Sequence, residues 1–297
     1  MKEATRPDGT KYWSYIIVYV DDILCINHNP TATMDLISGI YRMKQGSIEK
    51  PKVYLGANIR EWKLQDENGS FTNCYALRSE TYAKEAVRIV EALMLKHNLT
   101  FSSTRRQGHK TPFSSSEYRP ELENTPYCTD EHTTVYQNLM GMLRWMCELG
   151  RIDVLHEASL LSQYMSSPRT GHLQQAVNMF RYIKYNVTSG WLIFDPLDYD
   201  INWIPIRPDE LHPTERALAM KELYPDAEDP LPPNMPELRG KQVNINCFVD
   251  SDHAGNRVTL RSHTGIMIFI NMAPIHWYSK KQNTIESSTF GAEFIVL

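Results

Sequence analysis

The stretch Tyr15-Ile16-Ile17-Val18-Tyr19-Val20-Asp21-Asp22-Ile23-Leu24-Cys25-Ile26 sets two apolar, β-branched and aromatic runs on either side of two carboxylates. Residues of that kind fill a pleated, half-buried surface, so the stretch predicts a β-hairpin with acid at its tip. Adjacent aspartates in a tight turn have two uses. They tolerate and solvate the turn, or they project from a stiff tip toward divalent ions, which activate an attacking hydroxyl and stabilise a leaving pyrophosphate.

Outward from that hairpin, the composition is that of a globular chain long enough for two domains: 297 residues, 42% hydrophobic and 22% charged. General disorder is excluded. No stretch approaches the roughly 20 apolar residues of a membrane helix, and the first fifteen residues lack a cationic start followed by an apolar run, so the expectation is a soluble, intracellular, cytoplasmic chain. Five scattered cysteines without a C-x-x-C pair argue against both a disulfide framework and a structural zinc. The net charge of −4 is unevenly spread: residues 1–194 carry +2, 195–240 carry −7 and 241–297 carry +1. The acidity of one short stretch therefore does not argue against a nucleic-acid partner for the rest.

That acidic stretch holds prolines at 205, 208, 213, 225, 230, 232, 233 and 236, a density that forbids a long helix or a central strand. It reads as a linker with one helix-compatible island at 214–223, and the domain boundary falls between 205 and 240. Before it, 52–62 and 71–77 read as strands of a second hairpin across a polar turn ending in Gly69. Helices follow: one capped by Ser79, with Tyr82, Ala86, Ile89, Val90 and Leu93 as its apolar face, then 133–149, 153–164 capped by Asp153, and 171–185 with Leu173, Ala176, Val177, Phe180 and Ile183 inward. After the linker, 243–249, 264–271 and 274–278 read as strands. Residues 289–297 read as the start of a helix that the sequence leaves without a C-cap.

Tyr19-Val20-Asp21-Asp22 resembles the Y-V-D-D motif of copia-type LTR retrotransposon reverse transcriptases. The likeness continues in order. Met43-Lys44 and Tyr54-Leu55-Gly56-Ala57-Asn58-Ile59 resemble that family's M-K-x-L-G and F-L-G-x-x-I segments, the latter its primer-grip region. The segment 75–82 resembles the start of the thumb helix, and 136–143 resembles Y-R-x-x-V-G-S-L-x-Y. Arg151-Ile152-Asp153 resembles R-P-D with isoleucine in place of proline, and Pro168, His172 and Arg181-Tyr182-Ile183-Lys184 resemble the connection helix. Finally, Asp250-Ser251-Asp252-His253-Ala254-Gly255, Arg261-Ser262-His263-Thr264-Gly265 and Trp277-Tyr278-Ser279-Lys280-Lys281-Gln282 are similar to the family's ribonuclease H signature.

The resemblance implies an α+β fold divided into a partial palm (1–78), a helical thumb and connection (79–194), the acidic linker (195–240) and a truncated ribonuclease H-like domain (241–297). It implies RNA-directed DNA polymerisation with cleavage of RNA:DNA hybrid, using Mg²⁺ or Mn²⁺. Asp21 and Asp22 would serve the first centre, and Asp250 and Glu293 the second. Leu55, Gly56, Arg261, Lys280 and Lys281 would contact nucleic acid. The partners would be an RNA template, a DNA primer, their hybrid and the remaining polyprotein segments, in a particle-associated setting. The family's further acids have no counterpart in this sequence, and Ser287-Ser288-Thr289-Phe290-Gly291-Ala292-Glu293 carries one residue more than its S-S-T-E-A-E motif. The expectation is thus a fragment inactive alone, with a non-catalytic hybrid-binding remnant or a decayed element as the alternatives.

Overall fold

The computed structural model describes residues 1–65, 69–100, 111–115, 117–197, 233–236, 239 and 243–296. It is a mixed α+β structure in which the described residues form three antiparallel sheets and six α-helices. The chain separates into two compact units, one of residues 1–48 with 198–243 and one of 49–197 with 244–297. The acidic segment, including the helical island expected at 214–223, lies almost wholly outside the described residues.

In the first unit, β1 (Lys2–Thr5), β2 (Lys11–Tyr19) and β3 (Asp22–Ile26) form an antiparallel meander in the order β1-β2-β3. Helix α1 (Pro30–Ile40) follows at once, because the Asn29 side chain accepts from the Ala32 N–H and Pro30 supplies a preset first helical φ. The Asn27 amide ties this helix to the sheet, donating to Ser14 Oγ (3.1 Å) and Thr33 Oγ1 (2.8 Å). Helix α1 is an addition to the expected elements, and Asn29-Pro30 is the sequence signal for its start.

In the second unit, β4 (Val53–Tyr54), β5 (Ala57–Gln65), β6 (Phe71–Arg78) and β7 (Leu192–Phe194) form a four-stranded sheet in that order. The single strand expected at 52–62 is broken at Leu55-Gly56, whose φ angles of +52° and +86° turn the chain back on itself. Both central residues of that two-residue turn have positive φ, the hairpin geometry that matches strand twist. Strand β7, absent from the sequence reading, is three residues long, and its pairing with β6 is a tertiary event.

Helices α2 (Glu80–Lys96), α3 (Asp130–Glu148), α4 (Leu155–Ser162) and α5 (Thr170–Tyr185) build the core. Its largest fully buried side chains include Tyr136, Phe180, Leu139 and Met140, and the Tyr136 hydroxyl donates to Leu161 O at 2.6 Å. Every inward residue expected of α5 is buried. Three expectations need correction. The buried stripe of α2 is Ala83, Ala86, Val87, Val90 and Met94, rotated so that Ile89 is exposed. Ser79 holds the N-cap position of α2, but its hydroxyl makes no capping bond and is left without a partner. Asp153 does not cap a helix: it sits in a 3₁₀ turn and takes two hydrogen bonds of 2.8 Å from the buried Arg151 guanidinium. That guanidinium needs a carboxylate more than the helix needs a cap.

Strands β8 (Ile245–Ser251), β9 (His263–Ile270) and β10 (Ala273–Lys281) form the third sheet, order β10-β9-β8, and α6 (Thr289–Val296) follows it. Strand β8 starts and ends two residues later than expected, which puts Asp250 inside the strand. Helix α4 is fixed to β10 by Ser159 Oγ donating to Ser279 O (2.8 Å), and Trp277 Nε1 donates to Cys147 O at the end of α3 (2.8 Å).

Candidate metal and nucleic-acid sites

Tyr19 and Asp22 close the β2–β3 hairpin as its last registered pair, leaving Val20 and Asp21 as the turn. Val20 has φ +54° and is 88% exposed. A β-branched residue there is strained by about 1–2 kcal/mol, and nothing local compensates a side chain that points into solvent. The strain buys a tight tip from which both aspartates are exposed. Pairing puts Asp22 on the face of Tyr19, Ile17 and Leu24, opposite the one that Ser14 and Asn27 fasten to α1. Val20→Gly is expected to raise the thermal midpoint of the protein, by the equivalent of about 1 kcal/mol, without moving the strands. A lower midpoint would show that the valine packs in a way its exposure hides.

Leu55 and Gly56 form the half-buried β4–β5 turn. A Cβ on Gly56 would lie 3.4 Å from Tyr82 Cβ and 3.7 Å from Leu149 Cδ1, so the turn rests against α2 and the end of α3. These two residues belong to a different compact unit from Asp21 and Asp22.

At the third sheet, Asp250 pairs with Gly265 and shares its row with Ser279, on the face toward α4. Glu293, on α6, approaches the same strand end from the other face and accepts a hydrogen bond from the backbone N–H of Ser251 at 3.4 Å. Helix α6 is held there by Gln282, whose side-chain amide donates to Ala292 O (2.9 Å) and Thr264 Oγ1 (3.2 Å). Asp250 and Glu293, 43 residues apart in sequence, are therefore brought to one strand end from its two faces. Asp252 is committed elsewhere: its carboxylate accepts from the His263 N–H and packs over Gly255, where any Cβ would collide with it.

Period-two alternation separates the two lysines. Lys280 shares a row with Thr264 and is exposed, while Lys281 shares a row with His263 and is half-buried. Burial, and then the nearby Arg261, lower the pKa of Lys281, while Glu121 opposes them. Arg261 and Lys281 are thus brought together, and Lys280 faces away from them. Beside them His263 is 4% exposed, its Nε2 has no hydrogen-bond partner, and its ring meets His156 edge-on at 5.3 Å. Burial first, then His156, push its pKa down to about 4. His156, Asp250 and Met267 line an open cleft of about 450 Å³ between α4 and the sheet.

Among the described residues no group of three or more histidine, cysteine or acidic side chains is arranged to hold a metal ion. The Asp21-Asp22 pair still suits a hard cation, since both are exposed oxygen donors and Mg²⁺ commonly keeps most of its water and takes one or two carboxylates, while Asp250 is an exposed donor whose partner Glu293 reaches the strand from the opposite face. Sequence reasoning passed over Arg60, Trp62, Arg78 and Trp191, which form a stacked group on the β5–β7 sheet. The only sequence signal for it was Arg60 and Trp62 at the i, i+2 spacing of one strand face.

The chain is related to retrotransposon Pol polyproteins over nearly its whole length. It is 26% identical over 287 residues to a protein assigned to transposon Ty5-1 of Saccharomyces cerevisiae, covering 95% of this chain and 70% of that one. It is 21% identical to the retrovirus-related Pol polyprotein from transposon RE1 of Arabidopsis thaliana over 94% of this chain, but spans only 14% of the polyprotein. An uncharacterized mitochondrial protein of the same plant is 22% identical, with 95% and 90% covered. No family model and no solved structure matches the chain. Among the described residues no helix is long and apolar enough to cross a membrane.

Proposed function

We propose that this chain carries parts of two metal-dependent centres for nucleic-acid chemistry: the hairpin half of a reverse-transcriptase palm and a ribonuclease H-like sheet. In this reading β4–β7 and α2–α5 are the primer-grip, thumb and connection elements, and β8–β10 with α6 the hydrolytic fold. Asp21 and Asp22 would hold Mg²⁺, or Mn²⁺, at the polymerising centre, and Asp250 and Glu293 at the hydrolytic one. The bound ions would polarise phosphoryl oxygens and activate the attacking hydroxyl or water. The chain's own contribution is to present oxygen donors from a hairpin tip, a strand and a helix, and that of Arg261 with Lys281, and of Lys280 on the opposite face, is to meet phosphates.

The observation that carries the reading is Asp21-Asp22 exposed together at a two-residue hairpin tip held by a strained valine. Two carboxylates leave most of an ion's coordination shell to water and substrate phosphates. The chain alone is therefore expected to bind Mn²⁺ weakly and to turn over neither substrate. Electron paramagnetic resonance of Mn²⁺ titrations should resolve weak sites, with Asp21→Asn and Asp250→Asn each weakening a different one about tenfold. Mn²⁺ binding untouched by both substitutions would end the proposal. Primer extension that vanished in Asp21→Asn would show instead a complete centre and overturn the expected inactivity.

A further inference from the structure

One surface of the second unit carries none of the residues to which that reading gives metal or phosphate. On β5, Asn58, Arg60 and Trp62 share a face, and Trp191, immediately before β7, lies over the same face beside Arg78. The Arg60 guanidinium carbon is 4.1 Å from the Trp62 ring centre and 4.2 Å from that of Trp191, and Arg78 is 4.3 Å from Trp191. Beneath them the strand positions are small: Cys74, opposite Trp62, and Ala76, opposite Arg60, are both buried. The strip continues past Arg78, which donates to Thr188 O at 2.8 Å. Thr188 lines a groove of about 360 Å³ with Lys84, Lys184 and Tyr185, the last 66% exposed.

Four cations thus alternate with three aromatic rings along one surface. Three carboxylates accompany them, Glu80 against Arg78 and Lys84, Glu91 against Lys184, and Asp195 near Cys74, so four cations leave the strip net positive by one. A wedge that merely fastened β7 to the sheet would work as well with a buried aliphatic side chain. Instead Arg60 is exposed, makes no ion pair among the described residues, and is held flat by two indoles. A guanidinium immobilised in advance loses little entropy when it meets a phosphate.

We propose that this strip binds single-stranded nucleic acid, with bases stacking on Trp62, Trp191 and Tyr185 and phosphates meeting Arg60, Arg78, Lys84 and Lys184. Rings spaced along a cationic groove fit unpaired bases, whose faces a duplex hides, and stacking accepts any base. The choice of ligand rests on the nucleic-acid reading above, but the strip uses neither carboxylate pair.

The test is a titration of the whole chain with a twelve-nucleotide oligo(dT) in EDTA, following tryptophan emission and anisotropy. Saturable quenching is expected, with affinity about tenfold lower in Arg60→Ala and in Tyr185→Ala. Lys84→Ala with Lys184→Ala should flatten the log-affinity against log-salt slope by about 1.4. Arg60→Lys should keep the slope and lose affinity, because the charge survives and the planar stack does not. Tyr185, Lys84 and Lys184 are surface positions, so the test survives if Arg60→Ala fails to fold. No saturable binding at low salt, equal binding by these variants, or tighter binding of a duplex of the same length would each overturn the proposal. Asp21→Asn and Asp250→Asn should bind the oligonucleotide normally. If they lose Mn²⁺ while no variant affects the oligonucleotide, only the strip assignment fails.

Discussion

Phe180→Ala should destabilise the second unit by about 3–5 kcal/mol, read as a fall in the urea midpoint. Phe180 is 0% exposed and lies on the α5 face that also buries Leu173, Ala176, Val177 and Ile183. Alanine removes the ring's transfer free energy and leaves a void. The neighbouring helices cannot close it, because α5 is pinned at its start by His172, whose ring accepts from the Arg169 N–H and donates to Pro120 O. Phe290→Ala, at a side chain 77% exposed, is the control and should stay within about 0.5 kcal/mol. A Phe180→Ala loss below about 1 kcal/mol would mean that the helical core is not packed as described.

Acid should weaken the same unit through its buried histidines. His263 is neutral when folded, with its pKa pushed down to about 4 by burial and by His156, against 6.5 for the free side chain. Above about pH 6.5 neither state binds the proton and stability is full. As pH falls from 6.5 toward 4 only the unfolded chain takes it up, so stability drops. The loss is about 2 kcal/mol between pH 7 and 5 and about 3 kcal/mol by pH 4. His172 acts in the same direction: burial lowers its pKa, and protonation would remove the acceptor that receives the Arg169 N–H. His263→Leu should flatten the stability-against-pH curve in this window and leave only the His172 share. A curve unchanged by that substitution would show that His263 is not held neutral.

Much of this molecule was legible because local rules act on contiguous residues. The β2–β3 hairpin followed from two β-branched runs and the turn chemistry between them, and α5 followed from its helical spacing, every residue it marked as inward being buried while His172, Gln175, Asn178 and Met179 are buried as well. The errors share a cause. Asp153 looks like a helix cap until a buried guanidinium two residues away claims its carboxylate. Ile89 looks like a core residue until the packing of α2 against α3 and α5 selects a stripe one position round. The 52–62 strand breaks at Leu55-Gly56 because Tyr82 and Leu149, from helices far along the chain, give that turn a place to rest. The same holds for the sites: Asp21 and Asp22 are adjacent in sequence and needed only a hairpin, whereas Arg60, Trp62, Arg78 and Trp191 meet only when β7 joins β6.

By itself the sequence determined the class of structure, the order of its motifs and the carboxylates worth testing, since each depends on side-chain chemistry read within a dozen residues. The tertiary structure alone decided which acids reach one strand end, which lysine turns inward and where the cationic aromatic strip forms. Those outcomes depend on sheet register and helix packing between segments up to about 130 residues apart, and loop closure over such distances leaves no periodic trace in a sequence.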